Sequence, residues 1–377
     1  MDREDAVAKS IGKRAKKSAK KIAKKAARKA AGKTAGVRAN ATRRATKKTR
    51  PRGPTPKPTV IDVHSHIAVA ELVNFAQSAS LFARSVGTGG APGGIYDFAY
   101  KCMTDPAQRL KDMDAMGVDI QVISPSILQQ CVYFAEPEKA LEMERLGNDR
   151  VADAVAAHPD RLIGLGSVPM QDANLAAQEL ERCVRALGLK GVIIGSLVNG
   201  HELGEERFRP FWAKAERLGA TVFIHPAGSP DPRMRKHRLL ITLGQPLEEA
   251  FAMLSLIYEG IMDAYPKVKI LVAHGGGFLP FYTGRFDNNY RNGHTPHLKG
   301  DISSYLPRFF YETVMFNPDM LDFLASKVPT SRIMLATDYP FAEKKPVEYV
   351  RRAKRISKKD QDGILGANAA KVIGISI

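Results

Sequence analysis

Residues 60–66 read VIDVHSH, an apolar run that ends in two histidines spaced two apart. Seven similar runs follow: IQVISPS (120–126), LIGLGSVPM (162–170), GVIIGSL (191–197), TVFIHPA (221–227), KILVAHGG (269–276), FFYETVM (309–315) and IMLATDYPF (333–341). Between them lie helix-length amphipathic segments, among them AAQELERCVRALG (176–188), RPFWAKAERLGA (209–220) and LEEAFAMLSLIYEGIMDAYP (247–266), several closed by Gly or Pro. Near-continuous apolar strands alternating with helices predict an α/β fold with a parallel sheet covered on both faces. Eight such strands predict closure into a (β/α)8 TIM barrel. An open doubly wound sheet is disfavoured, because no strand runs into a Gly-x-Gly-x-x-Gly turn.

The polar residues at the ends of these runs carry the chemistry. His64 and His66 close the first run, His225 the fifth, His274 the sixth and Asp338 the eighth. All five sit at C-terminal strand ends, where barrel enzymes place their active sites. Two histidines two apart on a strand face the same way and can grip one ion from one side. With His225 and Asp338 they make three imidazoles and one carboxylate, a set suited to Zn²⁺ with a position left open for water. The other histidines, 158, 201, 237, 294 and 297, fall in helix ends and polar connections and read as structural or solvated.

One connection is unusually long. From about 67 to 106 the chain passes through GTGGAPGG (87–94) and IYDFAY (95–100). An insertion after the first barrel strand lies over the mouth, which predicts a lid or a substrate-contacting loop.

The charge is unevenly placed. Of 57 Lys+Arg and 39 Asp+Glu, residues 1–58 hold 21 and three, and residues 59–377 hold 36 of each. The high net charge of +18 therefore belongs to a tail on a neutral body, which excludes a nucleic-acid-binding barrel. The tail is rich in Lys and Ala and spaces its basic residues at helical intervals. It resembles the tails of linker histones and of some nucleoid-associated proteins. A disordered or conditionally helical segment is expected, with Pro51, Pro54, Pro56 and Pro58 as a stiff linker. Non-specific contact with nucleic acid or another polyanion through residues 9–50 and a solvated extension are both compatible with it. Asp2, Glu4 and Asp5 argue against a mitochondrial transit peptide. The scattered Cys102, Cys131 and Cys183 suggest neither disulfides nor a thiolate cluster. No stretch reads as a membrane span or secretory signal, so the expected location is cytoplasmic, with nucleoid association through the tail as a further option.

The motifs IDVHSH, FIHP, AHGGGFLPF followed by GRF, and LATDYPF resemble the amidohydrolase superfamily branch that includes aminocarboxymuconate semialdehyde decarboxylase and related aromatic acid decarboxylases. The likeness runs from about Val60 to Asn368. It implies His64, His66, His225 and Asp338 as ligands of one divalent metal, zinc, with Asp338 also catalytic and His274 as the acid/base residue. The absence of lysine from GVIIGSL favours a single metal. The implied activity is decarboxylation of a small aromatic or unsaturated acid, with metal-bound water and His274 supplying acid/base chemistry. The alternative is hydrolysis of a lactone, ester, amide or carbon–carbon bond on the same scaffold. Where the muconate decarboxylase branch carries substrate-binding arginines, YDFAYK (96–101) offers Asp97 and Tyr100, with Lys101 alone basic. That departure argues against a muconate, because Asp97 repels a carboxylate. Tyr100, Lys101 and Arg285 remain the expected substrate contacts. Arg285 in TGRF implies a homodimer, because in the resembling family this arginine reaches the neighbouring site.

Overall fold

The computed structural model describes residues 57–69, 71–72, 95–126, 130, 132–226, 228–229 and 231–377. The basic tail with most of its linker, the glycine-rich middle of the expected insertion, and Cys131 lie outside the described residues.

The eight expected runs all contribute barrel strands: β1 (Ile61–Ile67), β2 (Ile120–Pro125), β3 in two pieces (Leu162–Gly164 and Gly166–Ser167), β4 (Gly191–Ile194), β5 (Thr221–Ile224), β6 (Lys269–Val272), β7 (Phe310–Glu312) and β8 (Ile333–Met334). Each pairs in parallel with the next in order. Closure comes from the Val63 N–H donating to Leu335 O at 3.0 Å, the His66 N–H donating to Tyr339 O at 2.9 Å, and a parallel bridge between Ser65 and Tyr339. The result is a (β/α)8 barrel.

The strands are apolar throughout because both faces are covered. Ile193, Phe223 and Leu271 point into the barrel, and their neighbours Val192, Ile194, Val222, Ile224, Ile270 and Val272 pack outward against helices. Those helices are α1 (Ile95–Thr104) and α2 (Pro106–Met116) after β1, α3 (Pro137–Ala157), α4 (Ala173–Arg185), α5 (Arg209–Leu218), α6 (Gln245–Tyr258), α7 (Leu279–Arg291) and α8 (Pro318–Lys327). Local signals set their ends: Asp105 caps α2 by accepting from the Gln108 N–H, and Gly219 ends α5 in the left-handed region. Trp212 on α5 is fully buried and donates its indole N–H to Leu203 O at 2.9 Å. A final short helix, Asn368–Ile373, brings Ala369, Ala370, Val372 and Ile373 into the interior cluster.

The continuous 19-residue helix Leu240–Tyr258, a π turn leading into α6, reaches a mean hydropathy of 1.2 in its most apolar window, enough by length and composition to cross a membrane. Its apolar character has a local cause. It is the crossover between β5 and β6, and Ala252, Met253, Leu256 and Ile257 bury its inner face in the core.

Candidate active site

A bulge in β1 shapes the site. The register against β2 shifts between Asp62 and Ser65. Ile61 and Val63 therefore both join the interior cluster while His64 and His66 converge above them. Asp62 secures the bulge from behind: it accepts from the His64 N–H at 3.1 Å, the Thr337 N–H at 3.0 Å and hydroxyl at 2.6 Å, and Gln121 Nε2 at 2.9 Å. Burial raises its pKa to about 6. Arg109 from α2 completes this layer, donating to Gln121 Oε1 at 2.7 Å and to the His66 carbonyl, with its guanidinium 4.8 Å from the centre of the Tyr339 ring.

The expected ligand residues meet at the mouth. The rings of His64, His66 and His225 stand edge to face with centroids 4.9–5.0 Å apart. His64 Nε2 lies 3.2 Å from His66 Nε2 and 3.2 Å from Asp338 Oδ1, and His66 Nε2 lies 3.1 Å from the same oxygen. One donor atom from each of the four residues falls within 4.8 Å of the others. Asp338 occupies a left-handed turn, φ 52°, just past β8.

The protonation pattern fits a bound dication. His64 Nδ1 faces Glu312 Oε1 at 3.1 Å, so this nitrogen donates and Nε2 keeps its lone pair. Gln130 Nε2 donates to the His225 carbonyl at 2.8 Å and lies 3.2 Å from His225 Nδ1. Burial, reinforced by the neighbouring histidines, holds His225 well below the ordinary histidine range. Burial does the same to His64 against the pull of Asp338. Burial alone would raise the Asp338 carboxyl, but His64, His66 and His274 hold it below the usual range and therefore ionised. Bare nitrogens crowded against a carboxylate oxygen repel one another, and a cation among them removes that repulsion.

His274 sits beside this group, its ring 5.6 Å from His64 and 5.5 Å from His225. Its Nδ1 is in close hydrogen-bond contact with Glu249 Oε1 from α6, and its backbone N–H donates to Glu312 Oε1 at 2.5 Å. Burial would strip its proton, but Glu249, Glu312 and Asp338 reverse that and raise its pKa. The three glycines that follow permit this packing. A Cβ on Gly277, at φ 60°, would fall 2.1 Å from Pro246 O and 2.9 Å from Glu249 Oε2. Gly277→Ala is expected to lower stability by about 2–5 kcal/mol through strain and overpacking, read by urea denaturation.

The expected substrate residues lie on the outer helices α1 and α7. Tyr100 is 39% exposed, and Lys101 is exposed. Arg285 is exposed on α7, where it lines a cleft of about 650 Å³ with Tyr282, Phe286 and Asn289. Conversely, Glu312, Glu249, Gln130, Asp62 and Arg109 were not anticipated from sequence. The available signals were an acid inside the apolar run FFYETVM and an acid pair heading the apolar helix LEEAFAML.

Comparison with known proteins identifies the family. The amidohydrolase family profile matches residues 61–375, and the chain belongs to that family. It is 35% identical over 281 residues to the 2-amino-3-carboxymuconate-6-semialdehyde decarboxylase of Dictyostelium discoideum, covering 72% of this chain and 77% of the relative. The 5-carboxyvanillate decarboxylase of Sphingomonas paucimobilis superposes with a TM-score of 0.78 at 27% identity, covering 84% of this chain and 99% of that one. The corresponding enzyme of Novosphingobium aromaticivorans, solved with bound manganese and 3-methoxy-4-hydroxy-5-nitrobenzoic acid, gives a TM-score of 0.78 at 26% identity, covering 84% and 97%. The expectation of zinc is thereby corrected, since related solved decarboxylases hold manganese. The donor set of three imidazoles and one carboxylate does not itself choose between the two ions, so the correction rests on the manganese held by these relatives.

Proposed function

We propose that this chain is a metal-dependent decarboxylase, a carbon–carbon lyase for small aromatic or unsaturated carboxylic acids. His64, His66, His225 and Asp338 hold one divalent cation of the manganese type, and His274 carries the proton. The supporting observation is the convergence of three imidazoles and one ionised carboxylate beside a histidine that has its own carboxylate partner. A cation held there supplies positive charge that binds and orients an acidic substrate.

The chain's own groups then account for the reaction. Glu312 accepts from His64 Nδ1 and from the His274 backbone N–H, holding the His64 ring and the His274 backbone with one carboxylate. Protonated His274 donates its Nε2 proton to the carbon bearing the carboxylate. The bond to that carboxylate then breaks, its electron pair returns to the ring or double bond, and CO₂ leaves with hydrogen in its place. His274 ends neutral and regains a proton from water, to which its side chain is 13% exposed. Exposed Phe134, Phe278, Phe316 and Phe341 follow β2, β6, β7 and β8, and the Phe341 ring centre lies 6.1 Å from that of His66. These apolar faces suit a flat ring. Lys101 and Tyr100 are the proposed contacts to the substrate's polar groups, and Arg285 the proposed contribution across a homodimer.

The test is a panel of hydroxybenzoates, carboxymuconates and lactones with manganese-loaded protein, following CO₂ release and product mass together. Release of CO₂ from an aromatic acid is the expected result. A mass gain of water without CO₂ overturns the assignment.

In the proposed domain organisation, residues 59–377 form the catalytic barrel, the segment at about 67–106 covers its mouth, and residues 1–58 form a cytoplasmic polyanion-binding tail. Deleting residues 1–58 is expected to abolish salt-sensitive DNA retardation while leaving turnover within about twofold. Equal retardation of both forms removes the polyanion role.

A further inference from the structure

We infer that Glu249 is a positioning residue for the proton-carrying histidine. It fixes the His274 ring so that Nδ1 is always the donor to protein and Nε2 the nitrogen that exchanges protons with substrate. The inference rests on the decarboxylase reading above and adds a residue from outside the barrel strands.

Glu249 lies on α6, in the helical layer, and yet is completely buried. Helix positions in such a layer that face the core are ordinarily apolar, as Ala252, Met253, Leu256 and Ile257 are. A carboxylate in that place carries a desolvation cost that a leucine would not, and burial raises its pKa to about 7. Its Oε1 meets His274 Nδ1, and its Oε2 has no hydrogen-bond partner among the described residues. The carboxylate therefore has a single hydrogen-bond donor among the described residues.

The surroundings preserve that pairing. His274 adopts φ 47°, and Gly275, Gly276 and Gly277 follow with φ of 65°, 79° and 60°. A Cβ on Gly275 would strike Met315, on Gly276 Tyr311, and on Gly277 Pro246 and Glu249 itself. The backbone that carries the histidine is thus pressed against the helix that carries the acid. Among the described residues His274 Nε2 makes no hydrogen bond, which leaves that nitrogen free for substrate. A histidine whose one nitrogen is committed to a carboxylate has its tautomer and orientation set before substrate arrives.

The experiment compares Glu249→Leu, Glu249→Gln and the parent protein, all manganese-loaded, with an acid that the panel shows to be decarboxylated. Glu249→Leu is expected to lower kcat about 10-fold to 100-fold with KM and bound metal little changed. Glu249→Gln, whose amide oxygen still accepts from Nδ1, recovers part of that loss. A purely structural carboxylate predicts the opposite: the leucine variant loses stability while kcat of the folded, metal-loaded protein is unchanged, which overturns the inference. In magnesium-loaded protein labelled at histidine nitrogens, the hydrogen-bonded Nδ1 proton of His274 is expected in the parent and absent from Glu249→Leu. Its presence in both also overturns the inference. If no acid of the panel is decarboxylated, the functional reading fails, and the labelled spectrum still decides whether Glu249 sets the ring.

Discussion

Asp338→Ala protein is expected to retain the barrel, to lose stoichiometric manganese, and to release CO₂ at least about a thousandfold more slowly than the parent. The magnitude follows from the several kcal/mol that a cation contributes to charge stabilisation, at about 1.4 kcal/mol for each factor of ten. The residue is the sole oxygen donor within the four-residue group, and its Oδ1 touches both His64 and His66. Its removal leaves three neutral imidazoles, a weaker site for an ion that prefers oxygen. Atomic emission of the purified variant and a CO₂ assay measure the two losses separately. Full metal content with normal turnover removes Asp338 from the site.

His274→Ala is expected to lose turnover without losing metal: bound manganese stays, and kcat falls about 100-fold to 10,000-fold, the range for loss of a positioned acid or base. His274 lies outside the four-residue cluster and is engaged by Glu249 and Glu312 instead. Loss of stoichiometric metal in this variant moves His274 into the ligand set.

Most of the fold was legible because a covered parallel sheet writes long apolar runs, and eight of them stand at regular intervals. Strand lengths were not legible. IMLATDYPF reads as nine extended residues, but the strand is Ile333–Met334, after which the chain turns so that Asp338 takes a positive φ. An apolar run records burial, and loops at a barrel mouth are buried too. The histidines were legible because few other roles place five such groups at strand ends. Glu312 and Glu249 were hidden for the opposite reason: one acid in a strand, or an acid pair at the start of a helix, reads as a solvated face. Only packing reveals that both are fully buried and turned toward histidines. Arg109 carries no sequence signal of its role, because its service to the His66 carbonyl depends on where α2 lands.

The seam between the first and last strands has a consequence for biosynthesis. Asp62 reaches Thr337 across 275 residues of chain, and His66 reaches Asp338 across 272. Contacts of such sequence separation form late in folding. During translation the two leading histidines emerge first and wait for nearly the whole remaining chain before their carboxylate exists. Any fragment that stops short of Asp338 lacks the one carboxylate of the proposed donor set, so on that assignment only a finished barrel offers an ion all four groups. An ion that binds only the closed form then stabilises it by mass action, and chelation selectively weakens the joint between the two ends of the polypeptide.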